Sequence, residues 1–166
     1  SDPNLGSISF SSSGSNNLIN TNNLKSVFYN DLNFNSHTDY FESGIGNNYN
    51  IYFKNSNSTA KNDPVIKSSL QSELSSIFET STSLPLIKYG DFYNNYITPK
   101  ISFRFNPSDM KKDTNSRRID TSNLFSIGRL GISNGFEPGK SLTLGLDYKR
   151  EDTNDLNKYF ELKFGT

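Results

Sequence analysis

The stretch Ser141-Leu142-Thr143-Leu144-Gly145-Leu146-Asp147-Tyr148-Lys149 decides the fold. Leu142, Leu144, Leu146 and Tyr148 alternate with Thr143, Gly145, Asp147 and Lys149. A two-residue period puts every apolar side chain on one face of an extended strand and every polar one on the other. The pattern recurs upstream and downstream. Ile97, Ile101, Phe103 and Phe105 oppose Thr98, Lys100, Ser102 and Arg104, and Phe160, Leu162 and Phe164 oppose Tyr159, Glu161 and Lys163. Ile45, Tyr49, Ile51 and Phe53 oppose Asn48, Asn50, Tyr52 and Lys54, while Phe28, Leu32 and Phe34 oppose Tyr29, Asp31, Asn33 and Asn35. Leu70, Leu74 and Phe78 oppose Gln71, Glu73 and Glu79, with serines filling the apolar side at 72 and 76, and Ile8 and Phe10 alternate with Ser.

These segments read as seven strands of about 9 to 12 residues, longer than the ~5 to 6 of a soluble domain and close to the ~9 to 11 of a tilted membrane-crossing strand. Connections support the same reading, because transmembrane barrels alternate short turns with long loops. Residues 35–39 and 150–157 are short and rich in turn formers, whereas 56–66 and 107–136 are long. Residues 84–93 fit neither class. A sheet of this kind has one apolar face, and no further segment of the sequence supplies a layer to cover it. The expected fold is all-β: an antiparallel meander of about seven long strands, one domain over 1–166, forming an incomplete arc of a larger transmembrane β-barrel.

Composition narrows the function. Only 32% of residues are apolar and mean hydropathy is −0.67, yet 13% are aromatic, too many for a disordered chain. Lys+Arg and Asp+Glu are 17 each, which leaves no field to attract nucleic acid. The absence of cysteine removes disulfides and thiolate chemistry. No run is long and apolar enough for a membrane helix. The first residues carry neither an initiator Met nor a signal-type apolar region, so a processed chain or an internal fragment is expected. His37 is the single histidine, and no serine stands in a nucleophile-elbow context. Asp31, Glu73, Asp147 and Glu161 fall mid-strand, where a wet lumen accepts charge without catalysis. No enzyme activity, metal or cofactor is expected.

The most individual segment is 96–166. Its features are Ile97-Thr98-Pro99-Lys100, a strand ending at Asn106-Pro107, Asn123-Leu124-Phe125-Ser126 with Arg129 and Gly131, then Glu137 and Gly139, Ser141 to Tyr148, and a closing Phe160-Glu161-Leu162-Lys163-Phe164-Gly165. In order and spacing this resembles the C-terminal barrel domain of the LptD (OstA) family of lipopolysaccharide-assembly outer-membrane proteins. Thr21-Asn22, Asn30-Asp31 and Lys54-Asn55 match upstream strands more loosely. The span contains no counterpart of that family's periplasmic jelly-roll domain or of its cysteines.

The resemblance implies an outer-membrane wall in a Gram-negative bacterium that inserts lipopolysaccharide into the outer leaflet. The implied partners are a plug lipoprotein of the LptE type and the periplasmic lipopolysaccharide-bridge proteins. Asn33, Asn50, Lys54, Lys100, Arg104, Asp147 and Lys149 are the lumen-facing candidates to meet sugar and phosphate. From the residues themselves, Pro99 is expected at a strand entrance. Arg129 with Asp120 and Glu137 is expected to fold the long loop inward, against the alternative of a solvated loop. Asn123-Leu124-Phe125-Ser126 is expected to make one helical turn packed on lumen residues. Tyr40, Phe41, Tyr89, Tyr96 and Tyr148 at strand ends suggest interfacial girdles. Two rivals stay open: another outer-membrane barrel such as a porin or nutrient receptor, with a plug or constriction loop, and a soluble β-sandwich that binds glycans.

Overall fold

The computed structural model describes residues 5–20, 22–108, 117–132 and 135–166; Thr21 and parts of the long loop lie outside them. Every regular element among the described residues is a strand: β1 (Gly6–Asn20), β2 (Asn23–Ser36), β3 (Asp39–Tyr40), β4 (Gly46–Lys61), β5 (Gln71–Ser83), β6 (Leu86–Lys88), β7 (Tyr93–Asn106), β8 (Gly139–Asp152) and β9 (Tyr159–Gly165). Seven of them pair antiparallel in the order β1-β2-β4-β5-β7-β8-β9, while β3 pairs with β4 and β6 with β7. The sheet is open, with β1 and β9 as its edges. The β1 edge contains no charged residue and no proline along its whole length.

Six of the seven are 13 to 16 residues long and β9 has seven, so the expected lengths need correction. Most of the extra length is polar, Ser, Asn and Thr in β1, β4 and β5 and charged residues in β8, which carry no hydrophobic alternation yet keep pairing because the neighbouring strands continue beside them. Residues 56–61 illustrate this. Expected as loop, they belong to β4 and pair with β2 as far as Leu24 opposite Lys61. The unassigned 84–93 contains β6, which takes over the flank of β7 after β5 ends.

Pro99 is not at a strand entrance. It lies in the middle of β7, opposite Leu146. Its carbonyl accepts from the Leu84 N–H at 3.1 Å, and in a strand the N and C=O of one residue point to the same side. The missing N–H therefore faces Leu84 at the break between β5 and β6, where the ladder is already interrupted.

Register aligns the apolar positions. Ile8 stands opposite Phe34, Phe34 opposite Ile51, Ile51 opposite Phe78 and Phe78 opposite Phe105, an unbroken apolar row across five strands. From the other edge, Leu162 stands opposite Tyr148, Tyr148 opposite Ile97 and Ile97 opposite Leu86. These rows cross β7 at Phe105 and Ile97, eight residues apart. The apolar band thus runs diagonally over the strands. Phe10, Leu32, Phe53, Ile101, Phe103, Leu142, Leu144, Leu146 and Phe164 all lie exposed along it.

Burial is on the other face. Among the described residues Glu79, Ser102, Arg104, Asn106, Asn123, Arg129 and Thr143 are buried, and the apolar ones are Ala60 and Ile77. Ile77 is 1% exposed although it interrupts the polar alternation of β5. It pairs with Tyr52, whose ring meets that of Phe136 from the long loop at 6.2 Å. The sheet is consequently inside-out relative to a soluble domain.

Ile77→Ala should cost about 2–5 kcal/mol, the range for a fully buried aliphatic. Ile101→Ala, on the exposed band, should cost far less in the same urea melt.

Candidate functional site

The candidate site is the polar face of β5, β7 and β8 together with the part of the loop that covers it. Strand alternation aims Glu79, Arg104 and Thr143 at this face, and the chain returning toward β8 brings Arg129 and Glu137 down upon them. Arg104 Nε and Nη2 donate to Glu79 Oε2 at 3.1 and 2.8 Å. Arg104 Nη2 also donates to the Ser126 carbonyl at 2.8 Å, and Nη1 lies 3.7 Å from Glu137 Oε2. Arg129 grips Glu137 with two bonds of 2.6 Å and reaches Thr143 Oγ1 at 3.2 Å. Two guanidinium groups and two carboxylates balance one another, the condition under which charges tolerate burial.

Three further anchors hold the loop. Asn106 Nδ2 donates to the Phe136 and Glu137 carbonyls at 3.3 and 2.9 Å. Gly145 and Gly165 are paired on β8 and β9, and each provides a notch. A Cβ at Gly145 would stand 2.6 Å from the Phe125 ring, and one at Gly165 would collide with the Leu124 side chain. The turn that presents Leu124 and Phe125 is built by Asp120 and Asn123. Asp120 accepts from the Ser122 N–H and hydroxyl and, through its carbonyl, from Leu124 N–H at 2.9 Å. Asn123 Nδ2 donates to the Arg118 carbonyl and its Oδ1 accepts from the Asp120 N–H. Residues 121–125 form turns, with no α-helix assigned.

The expected ion set therefore needs one correction. Asp120 does not join Arg129; it caps the turn, because its short side chain closes on hydroxyl and amide groups two residues ahead. Its place beside Glu137 is taken by Arg104. Hydrogen bonds from Ser122 hold the Asp120 carboxyl below its ordinary pKa. The Arg129 guanidinium is raised above its own, first by the hydrogen bonds to Glu137 and then by the charges of Glu137 and Glu79, against the opposing effect of burial. Gly131 has φ +64° and Gly139 φ +85°, left-handed conformations at the loop's return and at the start of β8.

The seven lumen-side candidates share the polar face but not one site. Asn50 and Arg104 meet at Glu79, with Asn50 Nδ2 donating to Oε1 at 3.3 Å. Lys100 is paired with Asp147 and lies 5.9 Å from the Phe125 ring, beneath the loop. Lys54 and Asp31 form a separate pair at 2.6 Å, beside Asn33 in the ladder. Lys149 binds Glu151 at 2.7 Å between the rings of Tyr96 and Tyr159. Tyr96 thus belongs to the polar face, so it is no girdle residue. Asn106 and Thr143 were not singled out by sequence; their signal was the alternation itself, which gives them the same facing as Arg104.

Glu137→Ala leaves Arg104 and Arg129 short of a counter-charge in a buried place, and should destabilise the docked loop by about 3–5 kcal/mol. Limited trypsinolysis should then cut at Arg117 and Arg118 much faster than in the unsubstituted protein. The Asp120 turn should respond to acid with a definite sign. A depressed carboxyl pKa contributes stability above its unfolded value and loses it as pH falls through the folded one. Hydrogen-exchange protection at Ser122 and Leu124 should accordingly fall only below the ordinary carboxylate range, and Asp120→Asn should abolish that dependence.

Comparison with family models, curated proteins and solved structures returns no match to this chain.

Proposed function

We propose that this chain is part of the wall of an outer-membrane β-barrel that moves lipopolysaccharide into the outer leaflet of a Gram-negative bacterium. The observation that carries the wall is the diagonal apolar band. Eight residues at ~3.3 Å each give roughly 26 Å of slide along the strands, across six strand spacings of ~4.8 Å, or roughly 29 Å. A band level with a bilayer then requires strands tilted by about 40°, inside the ~35–45° of transmembrane barrels. From Ile97 to Phe105 the band spans about 20 Å along the bilayer normal before side-chain reach is added, close to the ~25 Å of such proteins. Exposed apolar surface this continuous exceeds what soluble monomers carry.

The cargo rests on the resemblance of residues 96–166 to the LptD family. Under it, lipopolysaccharide passes the polar face, with an LptE-type lipoprotein and periplasmic bridge proteins as partners. Asn33 and Lys54 make no hydrogen bond or ion pair with the described part of the loop and are the better placed of the candidates to meet it. A second reading, a porin or nutrient receptor, is favoured by one observation: the loop lies folded on the polar face, as a constriction loop does.

Leu144→Arg in the full-length protein should reduce the membrane-inserted fraction by the equivalent of about 2–4 kcal/mol, while Ser9→Arg, facing the polar side of β1, inserts normally. Normal insertion of Leu144→Arg overturns the wall. Depletion in the host separates the cargoes: loss of surface lipopolysaccharide with unchanged solute uptake supports the transporter, and the reverse supports the pore.

A further inference from the structure

Above the apolar band, β1, β2 and β4 continue on the same outward side as a Ser and Asn surface with one aromatic in it. Ser12 donates to Asn30, Asn30 to Asn55 and Asn55 to Ser72, a hydrogen-bonded ladder across four strands. Just beyond it lies a shallow groove with Phe28 as its floor. Phe28 stands opposite Gly14, and a Cβ on Gly14 would sit 2.8 Å from the ring. The ring therefore lies over the glycine, the packing that protects a strand glycine, and Phe28 nevertheless remains 47% exposed.

Asn16, Ser26, Asn57 and Thr59 flank the ring, Leu70 walls one side, and the lining includes no Lys, Arg, Asp or Glu. An exposed aromatic face attracts polarised C–H groups, and amides and hydroxyls around it match a ring of hydroxyls in both donors and acceptors. Among the described residues that line the groove, none is a cation to meet a phosphate or carboxylate. Phe28 is four residues from Leu32 and six from Phe34 along β2, about 13 to 20 Å along the strand, or roughly 10 to 15 Å along the bilayer normal at that ~40° tilt. Acyl chains against Ile8, Phe10, Leu32 and Phe34 would place a headgroup at this height.

We propose that the Phe28 groove binds an uncharged sugar ring carried by a membrane lipid. The inference rests on the wall reading for the lipid and on the groove alone for the sugar. The test uses the full-length protein in nanodiscs of phosphatidylcholine with a minor fraction of neutral diglucosyl-diacylglycerol of matched acyl chains, and lipid retained through purification is measured. The glycolipid should be enriched several-fold over phosphatidylcholine, with Phe28→Ala abolishing and Phe28→Tyr keeping that enrichment at unchanged thermal stability. Equal retention by Phe28→Ala, or enrichment confined to lipids with charged sugars, overturns the proposal. Failure to insert into nanodiscs sinks the wall reading and with it the lipid-borne ligand. Insertion without Phe28-dependent enrichment sinks the sugar site alone.

Discussion

Register is the constraint on which the rest depends. Because facing side chains in paired strands point to the same side of a sheet, one fixed alignment decides what each surface is made of. Here it lines up Ile8, Phe34, Ile51, Phe78 and Phe105 on one side and sets Glu79 against Arg104 on the other. A slip of one residue in β7 would turn Arg104 into the apolar band and Phe103 beneath the loop. The polar interactions under the loop therefore act less as a source of stability than as a penalty on wrong alignment. Desolvation offsets most of what such buried pairs gain, while a broken pair costs much more.

That arrangement also explains why the loop docks where it does. The polar face of β5, β7 and β8 presents charge that must be neutralised locally, and Glu137 arrives between two arginines because it lies two residues before β8 begins. Leu124 and Phe125 then find the only kind of surface on a polar strand that accepts bulk, a pair of glycines side by side. Charge fixes one end of the loop and shape the other.

Much of this was legible in the residues, and the failures share a cause. Alternation located every long strand, including the facing of Asn50, Lys54, Lys100, Arg104, Asp147 and Lys149, because hydrophobic contrast reports facing directly. Where the contrast vanishes, so does the signal: Ser56 to Lys61 extends β4 without an apolar residue before Ala60. Ile77 was hidden for the opposite reason, an apolar residue on the polar side whose ladder partner, Tyr52, is met by Phe136 from a loop nearly sixty residues later. Pro99 and Asp120 were misplaced because each is explained by a neighbour that local sequence does not identify: a gap between β5 and β6, and a serine hydroxyl competing with Arg129.

The bare edge at β1 leaves the sheet open to further pairing. Along its fifteen residues every second backbone donor and acceptor pair faces away from β2, with no lysine, proline or other deterrent to pairing. Left alone in water, an edge of this kind recruits copies of itself and grows into stacked ribbons with the geometry of amyloid. A further strand laid along that edge would satisfy the same donors and acceptors and close the route to self-association.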